Sequence, residues 1–169
     1  TRLLAPVMAF TADEIFELSP KPKALADLKS VHLLNWPAVE ESWINNDLEQ
    51  DFRLLLDLRV IVLKALDEKR KAGDIGSALE ASVTIKTSDK TKIAYLNAKR
   101  SLLESVFIVS SVEIKQEGTT DWTIDVQKAK GDKCGRCWNY RLDVGQDTNH
   151  PSICGRCVAQ VNIINAGSK

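Results

Sequence analysis

The chain has 169 residues, 44% of them hydrophobic and 27% charged, with 23 basic residues set against 23 acidic ones. That is enough to bury one or two small cores, and the charge balance excludes an indiscriminate binder of polyanions, so any nucleic-acid contact must rest on a local patch of defined geometry. The most apolar run, residues 54–66, is interrupted by Asp57, Arg59 and Lys64 and is too short to span a bilayer, and the first residues lack the features of a cleavable signal, so a cytosolic protein that engages no membrane is expected.

The chain opens on Thr1 and enters the apolar segment LLAPVMAFTADEIFEL with no lead-in, as expected of a piece excised from a longer polypeptide. Thr11 and Glu14 have capping-box spacing, which predicts a helix starting at Ala12 after a break near Pro6. Residues 19–30, SPKPKALADLKS, read as a surface connection, and SVHLLNWP reads as an extended apolar stretch closed by Pro37. A long helix is expected from about Asp47 to Ala72, with Asn46 as its cap and Gly73 as its stop. Its apolar residues Leu48, Phe52, Leu55, Leu58, Val62 and Leu66 are widened by Leu54, Ile61 and Ala65 into a face that needs partners on more than one side, which indicates the interior of a helical bundle. Lys69, Arg70 and Lys71 close that helix; cations in a last turn complement the helix dipole, and they read either as a solvated helix end or as a phosphate contact.

Beyond Gly73 the period changes. ALEASVTIKT, VFIVSSVEIK and WTIDVQKA alternate or run β-branched and apolar, with a helical stretch from about Thr91 to Glu104 between the first two, so residues 74–128 are expected to form a small α+β unit. Ser77 and Glu80 look like a local helix cap and carry no chemistry.

Residues 129–169 hold all four cysteines, as two CGRC runs, Cys134 with Cys137 and Cys154 with Cys157, separated by 16 residues. A CxxC turn aims two thiolates at one point about 2.3 Å away, and two such turns complete a closed tetrahedral shell for one structural Zn²⁺ with no open position for water. Disulfides or a redox pair are the alternatives, and the clustering of the cysteines in one window without an export signal favours zinc. The apolar set of this tail is thin, so the free energy of zinc binding, on the order of 10–16 kcal/mol, has to supply what its core lacks. His32 and His150 are single; His150 lies in the cysteine loop, where four thiolates already fill the shell.

The blocks LAPVMAFTADEI, SVHLLNWP, the helix end EKRKAGDIGSALEASV and KCGRCW followed by CGRC resemble, over nearly the whole chain, the C-terminal part of bacterial isoleucyl-tRNA synthetases. The first three are also similar to segments of the related valyl and leucyl enzymes; the terminal four-cysteine unit is what favours isoleucine. The resemblance implies a helical anticodon-binding domain over residues 1–73, an α+β unit over 74–128 and a zinc module over 129–169. It implies isoleucine tRNA and the remainder of the synthetase chain as partners, in a monomer. ATP-dependent activation of isoleucine belongs to a catalytic domain whose HIGH-type and KMSKS-type motifs do not occur here, so the chain by itself is expected to be inactive.

Arg136 and Trp138 flank Cys137 on the cysteine turn, where a planar cation and a large π-face suit an unpaired RNA base. Trp138 can equally serve as the cover of the turn, and Arg136, Lys133 and Arg156 can equally offset the charge of a tetrathiolate site. Lys133, Arg136 and Trp138, together with Lys69 and Arg70, are the expected tRNA contacts. Two rival readings remain: the cysteine spacing also resembles the zinc finger of formamidopyrimidine-DNA glycosylases, whose catalytic N-terminal proline-glutamate pair is missing here, and the zinc unit also reads as a purely structural device that docks the tail onto the bundle and touches no RNA. No Ser/His/Asp order, Gly-rich phosphate loop or carboxylate pair is present, and no residue is assigned a catalytic role.

Overall fold

A helix, a run of single turns and a second, longer helix open the computed structural model, which describes residues 1–167 in two compact units, Thr1–Asp47 and a second beginning at Leu48. In the first unit the backbone is already turning before helix α1, Ala9–Leu18, because the N–H groups of Leu4 and Ala5 reach the Thr1 carbonyl and that of Met8 reaches Leu4. Thr11 therefore lies inside the helix and the expected capping box does not form; the helix starts three residues early, at a cap residue, Met8, that makes no side-chain bond. Asp13, its neighbour in the capping segment, has a different task. Its Oδ1 accepts from Ser30 Oγ (2.7 Å) and from the Val31 N–H (2.9 Å), tying α1 to residues 30–33. These two bonds, the Ser30 hydroxyl first, hold the Asp13 carboxyl below its ordinary range.

SVHLLNWP is not extended: Ser30 caps a single 3₁₀ turn, Val31–Leu33, by accepting the His32 N–H. Further turns stand at Lys23–Leu25 and Glu41–Trp43. The core of this unit is small, with Ala5, Ala12, Phe16 and Val31 buried and Leu28 and Leu34 against them.

Helix α2, Asn46–Lys71, ends where Gly73 requires it to. Gly73 takes φ +79°. Its N–H bonds to Arg70 O and that of Asp74 to Lys69 O, the paired bonds of a Schellman stop. The buried stripe Leu55, Leu58, Val62 and Leu66 follows the 3–4 spacing of one helix face. It packs in one core with Val83 and Ile85 of strand β1, Ala81–Lys86, and with Leu96, Leu103 and Phe107. The described partners of this stripe are thus a sheet and two short helices, where the sequence suggested a bundle interior, while Leu48 and Ile61 stay 52% and 41% exposed.

Strand β2, Ser111–Lys115, pairs parallel with β1, and β3, Thr123–Lys128, pairs antiparallel on its other side. A parallel neighbour needs a long crossover, here α3, Lys90–Ala98, and α4, Arg100–Phe107. The expected single helix is split at Lys99, and α3 begins at Asp89, whose side chain accepts the Thr91 and Lys92 N–H groups. VFIV does not enter a strand: α4 runs to Phe107 and Ile108 closes it in the left-handed region at φ 57°. Ser77 makes no cap bond either; Glu80 instead reaches back to the Gly76 N–H. Among the described residues no helix is long and apolar enough to cross a membrane.

Candidate metal centre and nucleic-acid interface

The cysteine module starts from a hairpin of two short strands, β4 (Asp132–Lys133) and β5 (Tyr140–Arg141), paired antiparallel. Gly131 makes the close approach possible, since it sits at φ +90° and a Cβ there would lie 2.3 Å from the Arg141 carbonyl oxygen. Between the strands the first CGRC folds into a tight turn, with Cys134 N–H on Asn139 O and Trp138 N–H on Cys134 O, each at 2.9 Å. The second CGRC opens helix α5, Gly155–Gly167, whose first N–H is met by the Asp143 carboxylate at 2.9 Å. Gly135 N–H bonds to Ser152 O (2.8 Å) and joins the two turns.

All four Sγ atoms converge, lying within 4.8 Å of one another, with Cys134, Cys154 and Cys157 buried and Cys137 half-buried. A tetrahedron built on a metal–sulfur bond of about 2.3 Å has edges of about 3.8 Å. Cys137 Sγ and Cys154 Sγ stand 3.8 Å apart, so this pair, one thiol from each turn, already sits at the edge length a tetrathiolate site requires. Donors surround them: the Cys154 N–H points at Cys134 Sγ (3.3 Å) and Arg136 Nη1 at Cys157 Sγ (3.8 Å). Burial pushes the Cys134 thiol up, but backbone N–H groups of Cys137, Cys154 and Arg136 outweigh it and bring it down to about 6. Burial, unopposed to that degree, takes Cys154 up to about 12. The set has the softness, number and spacing of ligands for one closed-shell, thiophilic divalent ion, and it leaves no open coordination position. Among the described residues the cluster consists of the four cysteines; the backbone N–H of His150 bonds to Asp147 Oδ1.

The expected RNA contacts divide. Lys133, Arg136 and Trp138 come together on the cysteine turn, with Lys133 Nζ 5.7 Å from the Trp138 ring centroid. Trp138 is 60% exposed and holds a left-handed backbone, φ 64°, so its ring is not buried beneath the cysteine turn. Arg136 does meet a thiol, which gives it the charge-offsetting place that Lys133 does not take. Lys69 and Arg70 remain at the end of α2, paired at 2.9 Å with Asp74 and Asp67 on a solvated surface. Such exposed pairs are worth about 0–1 kcal/mol and do not withhold the cations from another anion.

Sequence reasoning missed the groups that fasten the module to the α+β core. Ser110, fully buried, donates to Leu79 O (2.5 Å) and accepts the Tyr140 N–H (2.7 Å). Arg141 forms a bidentate pair with Glu104 (2.5 and 3.3 Å), which raises the guanidinium further. A serine directly after the apolar run VFIV was the available signal for the first; the second joins residues 37 positions apart and left none.

Comparison with known proteins gives two family-model matches. Residues 1–85 match the anticodon-binding domain of tRNA ligases, and residues 131–160 match the zinc finger found in FPG and IleRS. The chain is similar to isoleucine–tRNA ligases from Fervidobacterium nodosum (42% identity over 163 residues), Thermotoga petrophila (37% over 166) and Geobacter sulfurreducens (34% over 168). Each match covers 94% of this chain, which spans about 17–18% of the length of these relatives.

Proposed function

We infer, since this chain belongs to the anticodon-binding domain family of tRNA ligases, that it binds tRNA and holds the anticodon arm of isoleucine tRNA for ligation by an isoleucyl-tRNA synthetase. In that arrangement residues 1–73 form the anticodon-binding part, 74–128 the platform and 129–169 the metal module, with ATP handled by a catalytic domain elsewhere in the polypeptide. One structural Zn²⁺ is bound by Cys134, Cys137, Cys154 and Cys157, and the enzyme works in the cytoplasm, where thiols stay reduced.

The observation that carries this reading is Trp138. Its φ of 64° belongs to the CGRC turn, in which its N–H bonds to the Cys134 carbonyl, but its side chain is 60% exposed, so packing does not account for a tryptophan there. A base stacked on the ring, worth roughly 1–3 kcal/mol, does account for it, with Arg136 and Lys133 supplying charge beside the base. The glycosylase alternative explains only residues 131–160 and leaves the match over 1–85 without a role. The structural role of the tail is supported by the Ser110 and Glu104 attachments and coexists with RNA binding. The test is tRNA affinity in Trp138→Ala and Arg136→Ala. Trp138→Ala weakens cognate binding by about 1–3 kcal/mol at unchanged zinc content, and Arg136→Ala weakens it too. Unchanged binding in both, with zinc retained, leaves the structural role alone.

A further inference from the structure

The sheet carries a second surface that the reading above does not use. In β1, Val83 and Ile85 enter the core, so Ser82 and Thr84 face the other way, and the register sets Ser111 and Glu113 of β2 and Asp125 and Gln127 of β3 beside them, with Asp125 accepting from Gln127 Nε2 (3.1 Å). A groove of about 580 Å³ lies between this polar face and residues 140–143 of the cysteine module. Its acidic groups are already engaged: Glu113 pairs with Lys115 (3.5 Å) and Asp143 accepts the Gly155 N–H (2.9 Å). Arg141 is held by Glu104 and adds no spare charge. The groups left over are donors. Lys128 and Lys130 are exposed beside the groove, and neither they nor the Thr84 and Tyr140 hydroxyls have a side-chain partner among the described residues. Lys128 and Lys130 with the Thr84 and Tyr140 hydroxyls, in a cleft where Glu113 lies beside Lys115 and Asp143 is turned to the Gly155 N–H, suit an anionic strand rich in acceptor oxygens, as the sugar–phosphate backbone of RNA is.

The position favours RNA over an acidic peptide. Tyr140 forms the groove wall, pairs in register with Lys133 and stands two residues from Trp138. A strand whose base stacks on Trp138 has the Tyr140 wall of the groove two residues away along the chain. We propose that this groove is a second RNA site, which takes the sugar–phosphate strand next to the nucleotide stacked on Trp138; this rests on the tRNA-binding reading above.

The test measures binding of isoleucine tRNA and of an unstructured 12-nucleotide oligouridylate across a salt series, for the wild-type chain, the double variant Lys128→Gln/Lys130→Gln, Thr84→Glu and Trp138→Ala, with zinc content and circular dichroism as controls. Both lysines are exposed, so the double variant keeps the fold. It binds both RNAs about tenfold less tightly at 0.1 M salt, with a log–log salt slope shallower by about 1.4, the amount two single-strand phosphate contacts contribute. Thr84→Glu, which sets a carboxylate in the groove, weakens binding in the same direction. Wild-type affinity and slope in the double variant, with Trp138→Ala still weakened, overturn the groove and leave the function standing. Loss of tRNA binding by the wild-type chain, with lysine-dependent binding of the oligouridylate, overturns the function and leaves the groove. Failure to bind either RNA overturns both.

Discussion

Trp138 concentrates two costs in one residue, a left-handed backbone and a mostly exposed indole. They separate by substitution. Trp138→Gly suits φ 64° and relieves about 1 kcal/mol of backbone strain, so the module binds its metal as well as before or better while tRNA affinity falls by about 1–3 kcal/mol. A fall in metal affinity and in thermal stability together would mean that the ring is needed as a cover. Asp13 gives the other residue-scale expectation. Its folded pKa is depressed by the Ser30 hydroxyl and the Val31 N–H, so its contribution to stability is fully present above the unfolded carboxylate value and is lost as pH falls through the lower, folded one. Asp13→Asn removes that dependence. Amide exchange at Val31 followed from neutral to acid pH reports it: protection declines at the acid end in the wild-type chain and is pH-independent, and lower, in the variant.

At the scale of elements, the cysteine module and the α+β core differ in what holds them. The buried cluster of the module is Cys134, Cys154 and Cys157, with Cys137, Val144 and Ile153 against them and Val158 buried nearby in sequence, so its core consists mostly of the ligands themselves. Attachment through Ser110 and Glu104 contributes about 1–3 kcal/mol per bonded group, against roughly 10–16 kcal/mol from a structural zinc. Chelation, or Cys134→Ser, therefore disorders residues from about 130 onward and leaves the core of Leu55, Val83 and Phe107 folded. Hydrogen exchange with and without chelator checks this; full protection beyond residue 130 without metal contradicts it. The same contrast explains what was legible in the sequence. Thiol spacing is a geometric statement about one point in space, and the four cysteines meet as read. Strand β1 was legible from its alternation, and the α2 stop from Gly73. Thr11 misled because a capping motif competes with turns just before it, and VFIV misled because a β-branched run fits the end of α4 when Phe107 is needed in the core. The partner of α2 was not legible, since an apolar stripe states that it must be covered and not by what.

Over the whole molecule, the described residues supply an α+β platform, a turn of converging cysteines and an exposed aromatic ring. The relatives are ligases about six times as long, and in the proposed arrangement this part holds the tRNA while another performs the chemistry. Charge balance over the chain makes selection, not general affinity, the expected property: any grip on RNA comes from a few placed groups and is sensitive to the base presented to them. The most direct measurement is the affinity of the zinc-loaded chain for isoleucine tRNA and for the same tRNA carrying a replaced anticodon, at one salt concentration. The account predicts tighter binding of the cognate tRNA by about 1–3 kcal/mol, a difference that disappears in Trp138→Ala. Equal affinity for both tRNAs in the wild-type chain would contradict it.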